Sequence, residues 1–422
     1  MKTNIPVVVL VLATFFMISF ITNILGPIFP ALIDSFDIGL TLAGFFPFAF
    51  FIAYGVMSIP AGLLVQSWGE KHVMLLAFLL AALGAMAFVL MPVFAVAMTA
   101  LFLLGSAMAL LQVAVNPLLR ASGGSQHFAL LSVLAQLMFG GAATLSPLVY
   151  SQLLEQTQTG QGVGAMIAPS IPANMGWLSM YWLFAALSVA MLVWIALTPI
   201  KRAQHNAGER LSAKQSLQYF KNPTAIKFFF AIAAYVALEQ GIANSMSVFL
   251  QQQHGLEPNT EGAAVVSHFW LSLTLGCLLG LVLLKCVDAQ KLLMFFSVGA
   301  AFCLIVALFG SQSLAVLAFP ACGFFLSIMW SVIFSLALNS FKAGHGAVAG
   351  ILCTGIIGGA VASPIIGAIS QGIGSLQIAI LVLFVPLIYI FSVGIWARPL
   401  VRNHTLNLFK KSVSNEELKS PS

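Results

Sequence analysis

Long apolar stretches, separated by short polar ones, run through the whole chain. A helix that crosses a bilayer needs about 20 consecutive, mostly apolar residues. By this measure the pattern predicts twelve membrane-spanning helices, over residues 6–32, 40–66, 72–91, 94–119, 128–154, 176–198, 224–253, 262–284, 291–310, 313–340, 345–371 and 375–398. The first stretch follows Lys2 but continues through Pro27 without an A-x-A cleavage pattern, so we interpret it as an uncleaved span.

The longest polar stretches lie at about 155–175, 199–223 and 399–422. The middle one divides the predicted helices six and six, and it carries five of the Lys and Arg residues. We interpret it as a linker on the cytoplasmic membrane surface. The pattern therefore predicts a six-helix half over 1–198, a linker over 199–223, a second six-helix half over 224–398 and a cytoplasmic tail over 399–422.

The composition supports a membrane protein. Hydrophobic residues make up 60% of the 422 residues and charged residues 7%, whereas an average soluble protein has about 25% charged residues. This excludes a soluble enzyme, a nucleic-acid-binding domain and a disordered chain. The five cysteines lie in apolar surroundings without CxxC spacing, so we expect small buried hydrophobic side chains and no disulfide, metal site or cofactor.

The charges predict the orientation. If both termini are cytoplasmic, all 17 Lys and Arg residues fall in inside loops or at the inner ends of helices. The charged residues of the outer loops are then all acidic, namely Asp34, Asp37, Glu155, Glu257 and Glu261. This asymmetry follows the positive-inside rule, so the surplus of positive charge indicates membrane orientation, not a nucleic-acid partner.

A short motif occurs once in each predicted half. Gly141-Ala-Ala-Thr-Leu-Ser146-Pro147 lies in the fifth span, and Gly358-Gly-Ala-Val-Ala-Ser363-Pro364 lies in the eleventh, 217 residues later. Chance repetition of common residues is one explanation. The other is duplication, since two six-helix halves around a central loop resemble the plan of the major facilitator superfamily, whose members bind substrates between the halves.

Glu239 is the one acidic residue of 11 that lies deep inside a predicted span. A carboxylate in hydrocarbon costs about 2.5–3.5 kcal/mol on insertion scales, so it is retained where it faces a cavity and has a partner. No Lys or Arg lies deep inside a predicted span to neutralise it. We therefore interpret Glu239 as the cation-coupling residue, with a protonated, helix-bridging carboxyl as the alternative.

The remaining polarity inside the spans comes from amides, one histidine and two indoles. Gln112 and Asn116 are four residues apart and so share one helix face. Amides donate and accept hydrogen bonds as sugar hydroxyls do, and aromatic rings stack on sugar rings. Each side chain alone could simply join helices. Together they predict a binding site for a neutral sugar, formed by Asn23, Gln112, Asn116, Gln136, Gln240, Asn244, His268, Trp270 and Trp330.

The chain resembles the bacterial L-fucose permease family of fucose, galactose and glucose symporters. The resemblance is carried by Gln112-Val-Ala-Val-Asn116-Pro117, His127-Phe128, Leu134-Ala135-Gln136, Ile59-Pro60-Ala61-Gly62 and Asn23-Ile-Leu-Gly-Pro27. It implies an all-α major facilitator fold with twelve transmembrane helices in two pseudo-symmetric halves, and sugar transport by symport.

The departures from the family pattern concern its ionisable residues. The family has acidic residues at the positions of Asn23 and Gln112, and neither amide can titrate. Glu239 matches a glutamate in members that read Y-V-G-A-E. Three alternatives stay open: Glu239 carries a proton, Glu239 and neutral oxygens bind Na⁺, or sugar moves without coupling.

The sequence therefore predicts a secondary transporter that imports a neutral hexose or deoxyhexose by alternating access, coupled to Na⁺ or H⁺. No phosphate-binding loop or catalytic motif is present, which excludes an ATP-driven pump and argues against an enzyme. The alternatives are an uncoupled sugar facilitator, a drug or lipid exporter of the same fold, and a sugar sensor that does not transport. We expect a monomer in a bacterial cytoplasmic membrane, with sugar, cation and lipid as its partners.

Overall fold

The computed structural model describes residues 4–123, 128–172, 174–200, 221–341 and 345–400. The predicted linker over 199–223 and tail over 399–422 lie almost entirely outside these residues. Within the described part, twelve helices are long and apolar enough to span a membrane. They are α1 (Ile5–Phe36), α2 (Leu40–Trp68), α3 (Glu70–Leu90), α4 (Phe94–Leu119), α5 (Leu134–Thr159), α6 (Leu178–Leu197), α7 (Pro223–His254), α8 (Pro258–Leu284), α9 (Ala289–Phe309), α10 (Gln312–Leu338), α11 (Val348–Ile373) and α12 (Leu376–Trp396).

The twelve predicted spans are thus confirmed, with ends that differ by a few residues. The largest difference is in α5, which continues to Thr159 and is followed by a short helix over Gly162–Ile167. Successive helices run in opposite directions. We call the end of the bundle where α1 begins and α12 ends the terminal side, and the opposite end the far side.

Short connections hold neighbouring helices together on the terminal side. Gly69 alone joins α2 to α3, with φ 83° and ψ 163°, a backbone conformation that is essentially restricted to glycine. The next basic side chain, Lys71, donates to the carbonyl oxygens of Ala196 and Thr198 at 3.0 and 2.9 Å. A cation at these exposed carbonyls opposes the negative end of the α6 dipole, which ties α3 to α6.

Two helices are broken near their middles. α1 consists of Ile5–Thr22 and Leu25–Phe36, with the break at Asn23, and α10 consists of Gln312–Leu326 and Met329–Leu338, with the break at Ser327. The Asn23 amide donates to the Ser19 carbonyl oxygen at 3.1 Å, and the Ser327 hydroxyl donates to the Phe324 carbonyl oxygen at 2.6 Å. Both breaks therefore carry a side-chain bond to the preceding turn, a contact that often bends helices.

The repeated motif makes corresponding contacts in the two halves. In the first half, the Ser146 hydroxyl of α5 donates to the Phe20 carbonyl oxygen of α1 at 2.8 Å. In the second half, the Ser363 hydroxyl of α11 accepts from the Asn244 amide of α7 at 3.3 Å. The fifth helix of each half therefore packs on the first helix of that half at the same place in the motif.

The two halves meet from the middle of the bundle to the far side. α2 packs on α11, where the Thr41 hydroxyl donates to the Gln371 side-chain oxygen at 2.5 Å. α5 packs on α8, where the Tyr150 hydroxyl donates to the Asn259 side-chain oxygen at 2.7 Å. The second part of α1 packs on α7, so closely that a Cβ at Gly26 would collide with the Ala243 carbonyl. These contacts close the far side.

Candidate functional site

A cavity of about 340 Å³ lies between α5 and α10 and reaches the terminal half of both helices. Its volume falls within the roughly 300–1,000 Å³ of small-molecule pockets. The lining combines neutral polar side chains with aromatic and aliphatic ones, namely Gln136, Trp330, Ser331, Phe334, Ser335, Leu338 and Asn339. Two predicted site residues, Gln136 from the first half and Trp330 from the second, therefore line one cavity.

The break in α10 positions the aromatic wall of this cavity. Trp330 lies three residues after Ser327, at the start of the second part of α10. Its ring stacks on Phe334, one turn later, with centroids 6.1 Å apart and an angle of 23° between the planes. Both rings line the cavity together with Gln136.

Trp330 also connects the cavity to Glu239. The Trp330 ring contacts the ring of Tyr235 on α7, with centroids 6.0 Å apart and planes at 58°. The Tyr235 hydroxyl donates to Glu239 Oε1 at 2.5 Å. Tyr235 and Glu239 are four residues apart on one helix, so they share a face of α7. The predicted sugar-binding indole and the predicted coupling carboxyl are thus linked through one side chain.

Glu239 has further polar neighbours. The Gln240 amide donates weakly to Glu239 Oε2 at 3.5 Å. The Cys277 thiol of α8 lies near enough to the carboxylate to interact with it electrostatically, and it donates to the Ser327 carbonyl oxygen at the α10 break, with the atoms 3.1 Å apart. Glu239 is half-buried as a residue, and Tyr235 and Gln240 are buried.

Trp270 is buried on α8, and its indole nitrogen has no hydrogen-bond partner among the described residues. It precedes Cys277 by seven residues, or two helical turns, and therefore lies on the same face of α8, about 10 Å closer to the far side. A buried N–H without a partner is costly unless a ligand or a water accepts its hydrogen bond. Trp270 does not line the cavity, and its role in the site stays a prediction.

The structure places other predicted residues apart from this cluster. His268 is exposed on α8, on the outer face that also carries Leu271 and Leu275. Asn244 is buried between α7 and α11, where it donates to Ser363. The amide nitrogen of Asn23 is held by its own helix, at 3.1 Å from the Ser19 carbonyl oxygen and 3.0 Å from the Ser19 hydroxyl.

The remaining two predicted residues belong to α4. Gln112 is partly buried there, and Asn116 lies one turn later in the same helix, with its side chain outside the described part. The structure also identifies residues that the sequence analysis did not select, above all Tyr235, Cys277 and Phe334. The spacing of Tyr235 and Phe334, each four residues from a selected residue, is the signal that could have identified them.

Comparisons with known proteins agree with the fold and the plan of this site. A family model for the Major Facilitator Superfamily matches residues 11–363. The chain belongs to the major facilitator superfamily. Because members of this superfamily are transporters, the prediction of a transporter instead of an enzyme is confirmed.

Three curated relatives place the chain more narrowly. A glucose/galactose transporter of Brucella abortus is 29% identical over 367 residues, which cover 85% of this chain and 86% of the relative. A putative glucose/galactose transporter of Helicobacter pylori is 26% identical over 91% of this chain and 94% of its own length. The L-fucose-proton symporter of Escherichia coli is 23% identical over 91% of both. The predicted resemblance to the fucose permease family is confirmed.

Solved structures share the architecture. The Escherichia coli symporter FucP in its outward conformation matches with a TM-score of 0.66 and 20% identity, over 93% of this chain and 98% of its own. A bacterial homolog of the human lysosomal transporter Spinster, inward-facing and unoccupied, matches with a TM-score of 0.73 and 12% identity, over 92% and 96%. At these identities the similarity establishes the major facilitator fold alone.

Proposed function

We propose that this major facilitator protein imports a neutral hexose or deoxyhexose by alternating access, coupled to the movement of a cation through Glu239. The observation that carries the proposal is the cavity lined by Gln136 and by the stacked rings of Trp330 and Phe334, with Glu239 one side chain away. The names of the relatives, glucose/galactose transporters and an L-fucose-proton symporter, support the same substrate class.

The lining of the cavity favours a sugar over other small solutes. Its amides and hydroxyls offer both donors and acceptors, as a polyhydroxylated ring requires. Stacked aromatic rings cover the C–H face of such a ring. None of the seven lining residues carries a formal charge, so the carboxylate of an organic anion would find no cationic partner there. A lipophilic drug would use the rings but leave the amides unsatisfied.

Glu239 supports coupling to a cation. As a carboxylate it accepts the Tyr235 hydrogen bond and holds one negative charge beside the cavity. It can take up a proton, or it can bind Na⁺ together with neutral oxygens such as that of Gln240. The loss of titratable groups at Asn23 and Gln112 supports an uncoupled facilitator as a second candidate.

The closed far side supports an alternating-access cycle. In this conformation α1, α2 and α5 contact α7, α11 and α8 toward the far side, while the cavity reaches the terminal half of the bundle. The distribution of Lys and Arg supports a cytoplasmic terminal side. In a bacterial cytoplasmic membrane this conformation is inward-facing. Import then requires that the far-side contacts separate, so that the cavity opens to the outside.

The proposal is tested by uptake of radiolabelled glucose, galactose and fucose into proteoliposomes under a Na⁺ gradient, a pH gradient, or neither. Accumulation under one gradient alone identifies the coupling cation. Equilibration without either gradient establishes the facilitator instead. Uptake at background for every sugar in a panel of hexoses, deoxyhexoses and disaccharides would overturn the sugar assignment.

A further inference from the structure

We propose that the Tyr235 hydroxyl transmits cation binding at Glu239 to the sugar site at Trp330, and that Tyr235 is therefore the positioning residue of the coupling. This inference rests on the proposed function and adds to it the side chain through which the two ligands affect each other. Neither the family resemblance nor the names of the relatives assigns a role to Tyr235.

The geometry places Tyr235 between the two sites. It is buried, with 4% of its surface exposed, so its ring is held by its neighbours. One end of the side chain, the hydroxyl, lies 2.5 Å from Glu239 Oε1. The ring itself packs on Trp330, whose own ring stacks on Phe334 and lines the cavity. A movement of the hydroxyl therefore moves a ring that the sugar site contacts.

The chemistry of the hydrogen bond depends on whether Glu239 holds a cation. A carboxylate only accepts, so the Tyr235 hydroxyl must donate to it. When a proton binds to Oε1, that oxygen becomes a donor, and the hydroxyl either accepts from it or moves to donate to the other carboxyl oxygen. When Na⁺ binds to Oε1, it competes with the hydroxyl for the lone pairs of that oxygen. Each cation thus changes the preferred position of the hydroxyl, and the ring follows.

Few other groups can carry this signal. In the described part of the chain, the titratable groups that face Glu239 are Tyr235 of its own helix and Cys277 of α8, and Gln240 adds a neutral amide. Lys227 lies twelve residues before Glu239 on α7, about 18 Å away along the helix, with its ammonium group over the Trp396 ring. Cys277 reaches α10 at the Ser327 carbonyl oxygen, whereas Tyr235 contacts the Trp330 ring itself.

The proposal makes a thermodynamic prediction. If a cation changes the sugar affinity by some factor, the sugar changes the cation affinity by the same factor, and coupling of this kind is typically about 5- to 150-fold. Tyr235→Phe keeps the ring on Trp330 but removes the hydroxyl. We expect the sugar Kd without cation to stay within about twofold of the original protein, while the cation-dependent factor falls to below about two.

The experiment measures the Kd of radiolabelled galactose, glucose or fucose, whichever is transported, for the full-length protein in lipid nanodiscs. Binding is measured with and without Na⁺, and at low and high pH. Glu239→Gln serves as the uncoupled reference. Tyr181→Phe is the matched control, because it removes the hydroxyl of another buried tyrosine, which packs against Phe88 and Phe184 and has no hydrogen-bond partner among the described residues.

The outcomes separate this inference from the proposed function. Loss of the cation-dependent factor in Tyr235→Phe and Glu239→Gln, but not in Tyr181→Phe, supports the proposal. If Glu239→Gln loses the factor and Tyr235→Phe retains it, the role of Tyr235 is overturned while coupling through Glu239 stands. If the original protein binds sugar without any cation dependence, coupling itself fails. A thermal unfolding scan of each variant shows whether a loss of binding reflects a loss of folding.

Discussion

Ser146 and Ser363 hold corresponding places in the two halves of the bundle, yet the side chains around them differ in chemistry. Ser146 donates to a backbone carbonyl of α1, and Ser363 accepts from the Asn244 amide of α7. The first half contains amides at Asn23 and Gln112, where the related family has acidic residues. The second half contains Glu239, the one acidic residue deep within a span.

The two halves share a packing contact but differ in the titratable groups inside their helices. The repeated motif places a serine against the first helix of each half. Its first glycine permits a close approach only in the second half, where a Cβ at Gly358 would collide with Ala233, whereas a Cβ at Gly141 would meet no atom within 4 Å. A coupling carboxyl, in contrast, costs free energy wherever it lies in the membrane. One such group in one half is enough to hold a cation, so the first half can supply amides and contact surface alone.

The largest expected effect concerns the contact between the halves. Gly367 of α11 packs on the backbone of Leu40 and Thr41, and a Cβ there would collide with both. Overpacking costs about 1–3 kcal/mol, so Gly367→Leu should lower the population with a closed far side about 5- to 150-fold and slow transport accordingly. The rate of sugar uptake into proteoliposomes measures the change in transport.

Gly372→Leu on the same helix is the matched control, because a Cβ at Gly372 meets no atom within 4 Å. It should transport at nearly the original rate. Equal uptake by the two variants would show that the contact at Gly367 is not part of the cycle.

Removal of an aromatic wall should have the next largest effect. Trp330→Ala removes the ring that lines the cavity, and the loss of such an anchor typically costs about 2 kcal/mol, so the sugar Kd should rise by roughly thirtyfold. Equilibrium binding of radiolabelled sugar measures the change. Trp194→Ala, which removes an exposed indole from α6, should leave the Kd unchanged. An equal loss of binding and of thermal stability in Trp330→Ala would indicate packing alone.

A carboxyl placed in the first half sharpens the comparison. Asn23→Asp removes the amide that donates to Ser19, and it sets an oxygen against the Ser19 carbonyl. We expect a loss of about 1–3 kcal/mol in the free energy of unfolding at high pH, because a buried group loses its partner. At low pH the protonated acid can donate again, so the loss should shrink. A pH series of thermal unfolding scans measures it, and a loss that does not depend on pH would contradict this account.

The smallest expected effect is the difference in stability between variants of the two repeated serines. Ser363→Ala leaves the buried Asn244 amide without its acceptor, which should cost about 1–3 kcal/mol. Ser146→Ala removes a hydrogen bond to a backbone carbonyl within a helix, which should cost about 0.5–1.5 kcal/mol. Thermal unfolding of the two variants tests the order. A larger loss for Ser146→Ala would show that the two contacts are not related as the motif indicates.

The spans could be predicted because one property, a run of about 20 apolar residues, determines each of them. The site was less accessible to prediction. Glu239 and Trp330 stand out as a charge and an indole inside apolar stretches, but Tyr235 is one aromatic residue among many, and its role depends on a hydrogen bond that the sequence does not display. His268 illustrates the converse, since its helical position and not its residue type places it on the outer face of α8.

The breaks in α1 and α10 could not be predicted from the sequence either. α1 contains one asparagine and two serines and α10 contains four serines, and the sequence does not mark which of these residues lies at a break. Asn23 was selected as a ligand for sugar, whereas the structure shows its amide nitrogen bonded to Ser19. Polarity alone does not distinguish a side chain that shapes a helix from one that faces a ligand.

Glu239→Gln tests the central claim, that coupling depends on one carboxyl in the second half. The measurement compares sugar accumulation under the gradient that drives the original protein with exchange of sugar in the absence of any gradient. We expect the original protein to accumulate sugar above equilibrium, and Glu239→Gln to reach only equilibrium while it exchanges sugar at a similar rate. Accumulation by Glu239→Gln to the level of the original protein would contradict the account.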